Sequence, residues 1–123
     1  MRLNVGLLGG GSWGTTVAAL ISRNAPVMLW ARDAQTVHEI NTDRQNSRYL
    51  AGYTLPATMR ATADMGEAVR GADVLVMGVP SQNFRSVLMD VRQHIRPWVP
   101  VISLTKGFEL DTGKRMTEVI MEI

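Results

Sequence analysis

Three glycines near the start of the chain have the spacing of a phosphate-binding turn. Residues 9–14, GGGSWG, fit the pattern G-x-G-x-x-G, and they follow an apolar stretch, 3–8, that is typical of a short strand. A helix-like stretch, 15–23, comes directly after them. This order of strand, glycine turn and helix predicts a dinucleotide site, although a glycine-rich turn without a ligand is the simpler alternative.

Each glycine of the pattern has a distinct role in such a site. The first permits the tight turn, the second lets the backbone approach a pyrophosphate, and the third lets the helix pack close to the strand. The helix N-terminus adds free N–H groups and a partial positive charge that favour phosphate. The glycines in these positions are Gly9, Gly11 and Gly14.

Composition narrows the class of protein. The 123 residues are 46% hydrophobic and 20% charged, as in one ordinary globular domain. A net charge of +2 with scattered Lys and Arg argues against a nucleic-acid partner. The absence of cysteine excludes disulfides and thiolate metal sites, and we expect no metal. The sequence lacks an apolar run of membrane-spanning length and a signal peptide, so we expect a cytoplasmic location.

Strand and helix signals alternate along the chain. Strands are predicted at 3–8, 26–30, 58–62, 73–79 and 99–104, and helices at 15–23, 34–41, 65–70, 82–95 and 112–123. Asp33, Asp64 and Ser81 are candidate helix caps, and 47–56 is irregular. The runs at 73–79 and 99–104 are apolar enough for strands that are buried on both faces. The pattern predicts an α/β fold, a doubly wound (Rossmann-type) parallel sheet with helices on both faces.

Ligands of such sheets bind beyond the carboxyl ends of the strands, so the residues that follow strands are candidates. Arg32 lies about 20 residues beyond the glycine turn, where an arginine could bind a ribose 2′-phosphate. This favours NADP, and Asp33 keeps NAD open, although Asp33 is better explained as a helix cap. Lys106 follows the fifth strand and could meet a phosphate as a point charge. The alternative is that Arg32 and Lys106 are solvated loop side chains that bind no ligand.

Several segments together resemble NAD(P)-dependent glycerol-3-phosphate dehydrogenase, and the likeness spans essentially the whole chain. The family interconverts dihydroxyacetone phosphate and glycerol 3-phosphate, usually for phospholipid synthesis. The segments that carry the resemblance are GGGSWGT at 9–15, WAR at 30–32, NSRYL at 46–50, LP at 55–56, VPS at 79–81 and SLTKGFE at 103–109.

The resemblance implies roles for individual residues. Ser12 and Trp13 would line the cofactor, Arg32 would flank its adenosine end, Tyr49 would approach it, and Lys106 would touch both the cofactor and a small phosphate substrate. Two positions depart from the family: Gly10 stands where alanine is frequent, which we expect to be harmless, and Asp33 stands where some members have a basic residue.

The family's chain is much longer, and its second half is a helical domain with the catalytic lysine. We therefore expect residues 1–123 to be a dinucleotide-binding domain that binds NADP, or NAD, without turnover and contains no catalytic residue. Self-association of this domain would not be surprising. Two alternatives stay open: another reductase with a similar cofactor domain, such as a 2-hydroxyacid or ketopantoate reductase, and a stand-alone NADP-binding sensor. We expect His38 and His94 to be structural, because neither has a partner at metal-ligand spacing.

Overall fold

The computed structural model describes residues 3–123, and its centre is a five-stranded sheet. The strands are β1 (Val5–Leu8), β2 (Val27–Trp30), β3 (Met59–Thr62), β4 (Val74–Met77) and β5 (Val101–Ser103). Their order in the sheet is β3-β2-β1-β4-β5, and all four pairings of neighbouring strands are parallel. The helices are α1 (Ser12–Ile21), α2 (Ala34–Asp43), α3 (Met65–Arg70), α4 (Ser81–Val91) and α5 (Met116–Glu122), with a single 3-10 turn at Arg92–His94.

The two faces of the sheet are covered by different helices. Leu8 points into a cluster with Phe84 of α4 and Val119 of α5, and α3 packs on the same face. Its neighbour Leu7 points the other way, into a cluster with Ile40 of α2 and residues of α1. Successive residues of a strand point to opposite faces, so one short apolar strand contributes to both cores. This confirms the predicted doubly wound sheet with helices on both faces.

The fifth strand is the edge of the sheet, which corrects the expectation of a buried strand at 99–104. β5 pairs only with β4. Val101 packs beneath α4 and α5, whereas Ile102 points to the opposite face and is 48% exposed. An apolar run alone does not reveal whether a strand is central or at an edge, because that depends on the strand order.

The last helix is shorter than predicted, since α5 begins at Met116 and not at Thr112. A tight turn occupies the preceding residues: the Glu109 N–H donates to the Lys114 carbonyl at 2.8 Å, and the Gly113 N–H donates to the Glu109 carbonyl at 2.7 Å. Gly113 has a φ of +68°, in the left-handed region that favours glycine. Similarly, α4 stops at Val91 and continues only as the 3-10 turn, short of the predicted end at residue 95.

Two of the three predicted helix caps are confirmed. The Asp33 carboxylate accepts from the Gln35 N–H at 3.0 Å, and the Asp64 carboxylate accepts from the Gly66 N–H at 2.9 Å. The prediction for Ser81 is wrong, because Pro80 occupies the cap position and Ser81 is the first helical residue. Within residues 3–123, no helix has the length and apolarity needed to cross a bilayer.

Candidate functional site

A cleft of about 660 Å³ opens at the carboxyl ends of the central strands. The chain leaves β1, β2 and β4 into this cleft, and the segment after β5 closes one side of it. Because β2 and β4 flank β1, the cleft lies where the strand order changes direction, which is the usual ligand position in a doubly wound sheet. Its lining comprises residues 9–14, 30–33, Thr36, Arg48, Tyr49, 78–81, Asn83, Thr105 and Lys106.

The glycine turn is tightly enclosed except at one position. Gly9 has a φ of +133°, and a Cβ there would lie 2.6 Å from the Gly78 carbonyl oxygen. A Cβ at Gly14 would overlap the carbonyl oxygen of Gly9. At Gly11 a Cβ would have no neighbour within 4 Å. Gly9 therefore makes the tight turn, Gly14 allows close contact, and Gly11 leaves the backbone open towards the cleft.

Gly10 has a structural role that the sequence did not indicate. A Cβ at this position would lie 2.6 Å from the Cβ of Ala31, directly after β2. The absence of a side chain at Gly10 thus lets the turn lie against the end of the neighbouring strand. A glycine therefore fits at position 10, as expected, because it packs directly against the small side chain of Ala31.

Helix α1 presents unpaired backbone donors to the cleft. Its cap is Gly11, and the first intrahelical bond runs from the Thr15 N–H to the Gly11 carbonyl at 2.9 Å. The N–H groups of Ser12 and Trp13 consequently have no acceptor within the helix. The first turn contains no acidic side chain. This end of the helix therefore keeps the partial positive charge of its dipole, which suits an anion.

A loop after α2 is bound directly to the glycine turn. The Ser12 hydroxyl donates to the Tyr49 carbonyl at 2.7 Å. The fully buried Asn46 donates from Nδ2 to the Gly10 carbonyl at 3.1 Å and to the Thr15 hydroxyl at 2.9 Å. The segment predicted as irregular thus reaches the cleft through Tyr49. Sequence reasoning missed Asn46; its only signal was a polar residue within the segment 46–50 that resembles the family.

The predicted adenosine end of the cleft contains two arginines and one carboxylate. Arg32 is exposed and makes no ion pair within residues 3–123. Asp33 is already engaged by the N-terminus of α2 and also lies 3.6 Å from the Arg48 guanidinium. Arg48, which sequence reasoning missed, stacks 5.1 Å from the centre of the Tyr49 ring. Arg32 is therefore the cation at this end that no carboxylate neutralises.

Lys106 lies at the opposite end of the cleft, on the segment that follows β5. Its neighbour Thr105 donates from its hydroxyl to the Val79 carbonyl at 2.6 Å, which ties this segment to the residues after β4. Gly107 has a φ of +105°, and a Cβ there would lie 3.6 Å from the Ser81 hydroxyl oxygen. The Lys106 side chain is exposed. Ser81 and Thr105 also line the cleft.

A cluster of ion pairs stands beside this segment. Arg85 of α4 contacts Glu109 at 2.7 Å and Glu122 of α5 at 3.2 Å, and Lys114 also contacts Glu122. The hydrogen bonds from Arg85 are the main cause that lowers the pKa of Glu109, and together with Lys114 they lower the pKa of Glu122 to about 2. The same contacts raise the pKa of Arg85. Arg85, Glu109 and Glu122 are therefore charged at neutral pH.

The histidines lie away from the cleft. His38 is exposed on α2, and His94 is in the 3-10 turn after α4. Neither lines the cleft, and residues 3–123 contain no group of three His, Asp or Glu side chains that could hold a metal ion. The donors that do line the cleft are the backbone N–H groups at the start of α1 and the cationic side chains of Arg32 and Lys106. These donors suit a phosphate-bearing ligand.

Comparisons with known proteins agree with this geometry. Residues 4–123 match the family described as NAD-dependent glycerol-3-phosphate dehydrogenase N-terminus. The whole chain is 70% identical to glycerol-3-phosphate dehydrogenase (NAD(P)+) 2 of Sphingopyxis alaskensis and spans 37% of that relative. Over 95% of its length it is 52% identical to glycerol-3-phosphate dehydrogenase (NAD(P)+) 1 of Mycobacterium tuberculosis, of which it covers 35%.

A solved structure shares the fold. The crystal structure of glycerol-3-phosphate dehydrogenase from Coxiella burnetii superposes with a TM-score of 0.90 at 29% identity. The superposition covers 98% of this chain and 37% of that chain. The chain therefore spans little more than a third of the length of the relatives that it matches.

Proposed function

This chain belongs to the NAD-dependent glycerol-3-phosphate dehydrogenase family, and from that premise we propose that residues 1–123 form its dinucleotide-binding domain. The ligand is NADP(H), with NAD(H) as the second choice, bound in the cleft at the carboxyl ends of the strands. The relatives named above have NAD(P)+ in their names, which agrees with use of either cofactor.

One observation carries the proposal. Among the four glycines of the turn, only Gly11 has free space where a side chain would be, and that space is the cleft. A pyrophosphate needs such a bare backbone, next to N–H groups that have no other acceptor. Ser12 and Trp13 supply those N–H groups in the first turn of α1. The fit therefore follows from both shape and charge.

The other lining residues indicate which end of the cofactor would lie at each end of the cleft. Arg32 would bind the 2′-phosphate on the adenosine side, and Tyr49 would contact the cofactor from the loop held by Asn46. At the opposite end Lys106 would approach the nicotinamide side and a substrate phosphate. When bound, the reduced cofactor supplies a hydride for a carbonyl carbon. The chain's own residues bind and orient; we assign none of them as a proton donor.

For the whole protein we propose the interconversion of dihydroxyacetone phosphate and glycerol 3-phosphate in the cytoplasm. The named activity of the relatives supports it, and so does the Lys106 cation at the mouth of the cleft. The glycerol 3-phosphate formed would be a substrate for acylation in phospholipid synthesis. The general acid for the new hydroxyl would come from outside residues 1–123.

Two measurements test the proposal. Calorimetry on the 123-residue chain should detect binding of NADPH and NADH, and the chain should not oxidise NADPH in the presence of dihydroxyacetone phosphate. An assembled enzyme, in which residues 1–123 replace the matching residues of the Sphingopyxis alaskensis relative, should catalyse that oxidation. Failure of the chain to bind either cofactor would refute the cofactor site.

Two experiments separate the alternatives. In a substrate screen on the full-length protein, a ketopantoate or 2-hydroxyacid reductase would prefer those keto acids to dihydroxyacetone phosphate. A sensor domain would bind NADPH yet give an assembled enzyme without turnover. The family match and the 70% identity to a named dehydrogenase favour glycerol-3-phosphate dehydrogenase over both.

A further inference from the structure

We propose that Arg85 is a positioning residue for Lys106: from α4 it holds Glu109 and thereby fixes the segment that presents Lys106 to the cleft. The inference rests on the proposed function, because it concerns the role of Lys106 in that cleft. Arg85 does not line the cleft itself, so its effect on Lys106 would pass through the segment that it holds.

The contact between Arg85 and Glu109 restrains orientation as well as distance. The Arg85 Nε donates to Glu109 Oε2 at 2.7 Å, and Nη2 donates to Oε1 at 3.0 Å. Two parallel bonds from a planar guanidinium to a carboxylate fix their relative orientation. The Thr112 hydroxyl donates to the same carboxylate at 2.6 Å. Glu109 is thus held from two sides, three residues after Lys106 in the motif S-x-x-K-G-x-E.

This ion pair is also more sheltered from solvent than the other ion pairs within residues 3–123. The side chain of Glu109 is 16% exposed and that of Arg85 is 31% exposed. In the other ion pairs of the described residues that exclude Arg85, both side chains are at least 32% exposed. Partial burial reduces screening by water and salt, so this pair is a stronger restraint than an ordinary surface pair.

Lys106 lies between two anchors that lead to the same part of the fold. On its N-terminal side, the Thr105 hydroxyl is bound to the Val79 carbonyl, directly before α4. On its C-terminal side, Glu109 is bound to Arg85 within α4. Lys106 itself is exposed and makes no ion pair within residues 3–123. Its position is therefore set by the backbone between the anchors, including Gly107 in its left-handed conformation.

A double-mutant cycle in the assembled enzyme tests this. Lys106→Met should lower kcat/KM for dihydroxyacetone phosphate by about 10- to 100-fold, the loss expected for one charge-assisted contact. Arg85→Met should lower it by about 3- to 10-fold when Lys106 is present, but by less than about 2-fold in the Lys106→Met background. A merely structural role would give the same loss in both backgrounds.

Two further variants separate the effect of the Arg85–Glu109 geometry on catalysis from its effect on the stability of the fold. Arg85→Lys keeps the charge but not the two-pronged geometry, so it should restore most of Tm and only part of kcat/KM. Arg96→Met is the matched control. Arg96 also pairs with a carboxylate, Asp73 at 3.0 Å, but it binds the Ala72 carbonyl at the start of β4, far from the cleft. Arg96→Met should lower Tm and leave kcat/KM unchanged.

The possible outcomes distinguish failure of the proposed function from failure of the inference about Arg85. An assembled enzyme with no oxidation of NADPH would overturn the proposed function and this inference with it. Turnover that is unaffected by Lys106→Met would overturn the inference, since Arg85 could not act on catalysis by positioning Lys106. Equal losses from Arg85→Met in both backgrounds would overturn the inference while leaving the proposed function intact.

Discussion

The buried amide of Asn46 donates to the Gly10 carbonyl oxygen at 3.1 Å and so fastens the loop after α2 to the glycine turn. The same Nδ2 donates to the Thr15 hydroxyl at 2.9 Å, and the Asn46 Oδ1 accepts from the Tyr49 N–H at 3.3 Å. One side chain therefore links the start of α1, the glycine turn and the loop with Tyr49. Asn46 thus holds together the glycine turn and the Tyr49 loop, both of which line the cleft.

Asn46→Ala should weaken both stability and cofactor binding. Removing the amide eliminates the bonds of Asn46 to the Gly10 carbonyl, the Thr15 hydroxyl and the Tyr49 N–H. The Thr15 hydroxyl still donates to the Gly10 carbonyl at 3.3 Å, and we expect a loss of about 1–3 kcal/mol of unfolding free energy. The freed loop should also weaken NADPH binding measured by calorimetry. Asn41→Ala is the matched control: Asn41 makes two bonds to the backbone of Ala61 in β3 and does not line the cleft. It should lower stability alone. Equal NADPH affinity in both variants would contradict this role of Asn46.

Local chemistry explains what the sequence predicted correctly. Alternating strand and helix signals, the glycine spacing and the caps at Asp33 and Asp64 each depend on a few neighbouring residues, and each is present in the structure. Arg32 and Lys106 were found because the carboxyl ends of parallel strands meet at one edge, and both line the cleft there. Their roles in binding remain predictions.

The features that the sequence did not predict depend on distant contacts. Asn46 lies in an irregular loop without periodicity, and its partners are 31 and 36 positions away. Arg85 was one polar residue on a predicted helix, and only the tertiary fold brings it to Glu109. The edge position of β5 likewise follows from the strand order and not from its apolar residues.

Substitution of Gly11 should abolish cofactor binding while the fold survives. A side chain there meets no protein atom but occupies the cleft next to the free N–H groups of α1. Affinity for NADPH should therefore fall with Gly11→Ala and fall further with Gly11→Val, with Tm close to the parent. Gly71→Ala is the control, because a Cβ at Gly71 also meets nothing and lies outside the cleft. A folded Gly11→Val chain with parental affinity would show that the turn is not the site.

The ion pairs around Arg85 should make stability depend on acid pH. Hydrogen bonds from Arg85 and Lys114 lower the pKa of Glu122 from 4.5 to about 2 in the folded chain. The unfolded chain therefore binds this proton at a higher pH than the folded chain. The contribution is complete above about pH 4.5 and is lost as the pH falls towards about 2.

Urea unfolding between pH 2 and 5 measures this contribution. Glu122→Gln should flatten the fall in unfolding free energy over that range, because the titrating group is gone. Arg85→Met should also flatten it, since Arg85 lowers the pKa of both Glu109 and Glu122, although Lys114 still lowers the pKa of Glu122 in that variant. An unchanged pH dependence in both variants would show that these pairs do not couple protonation to folding.

Arg32 and Asp33 should set the choice between NADP and NAD in opposite directions. Arg32 lines the cleft and has no carboxylate partner within the described residues, so it is available for a 2′-phosphate. Arg32→Ala should weaken NADPH more than NADH by roughly 1–3 kcal/mol if a charged hydrogen bond is lost. Arg23→Ala, an exposed arginine beyond the other end of α1, should change neither affinity.

Asp33 provides the complementary test, because its carboxylate faces the same end of the cleft while it caps α2 and pairs with Arg48. Asp33→Asn keeps an oxygen that can accept from the Gln35 N–H and removes the negative charge. Repulsion of a 2′-phosphate falls and Arg48 is released, so NADPH should bind more tightly relative to NADH. Calorimetry of both cofactors on the parent and the two variants gives the ratio of dissociation constants directly. Equal shifts for NADPH and NADH in Arg32→Ala and Asp33→Asn would exclude a 2′-phosphate contact at this end of the cleft.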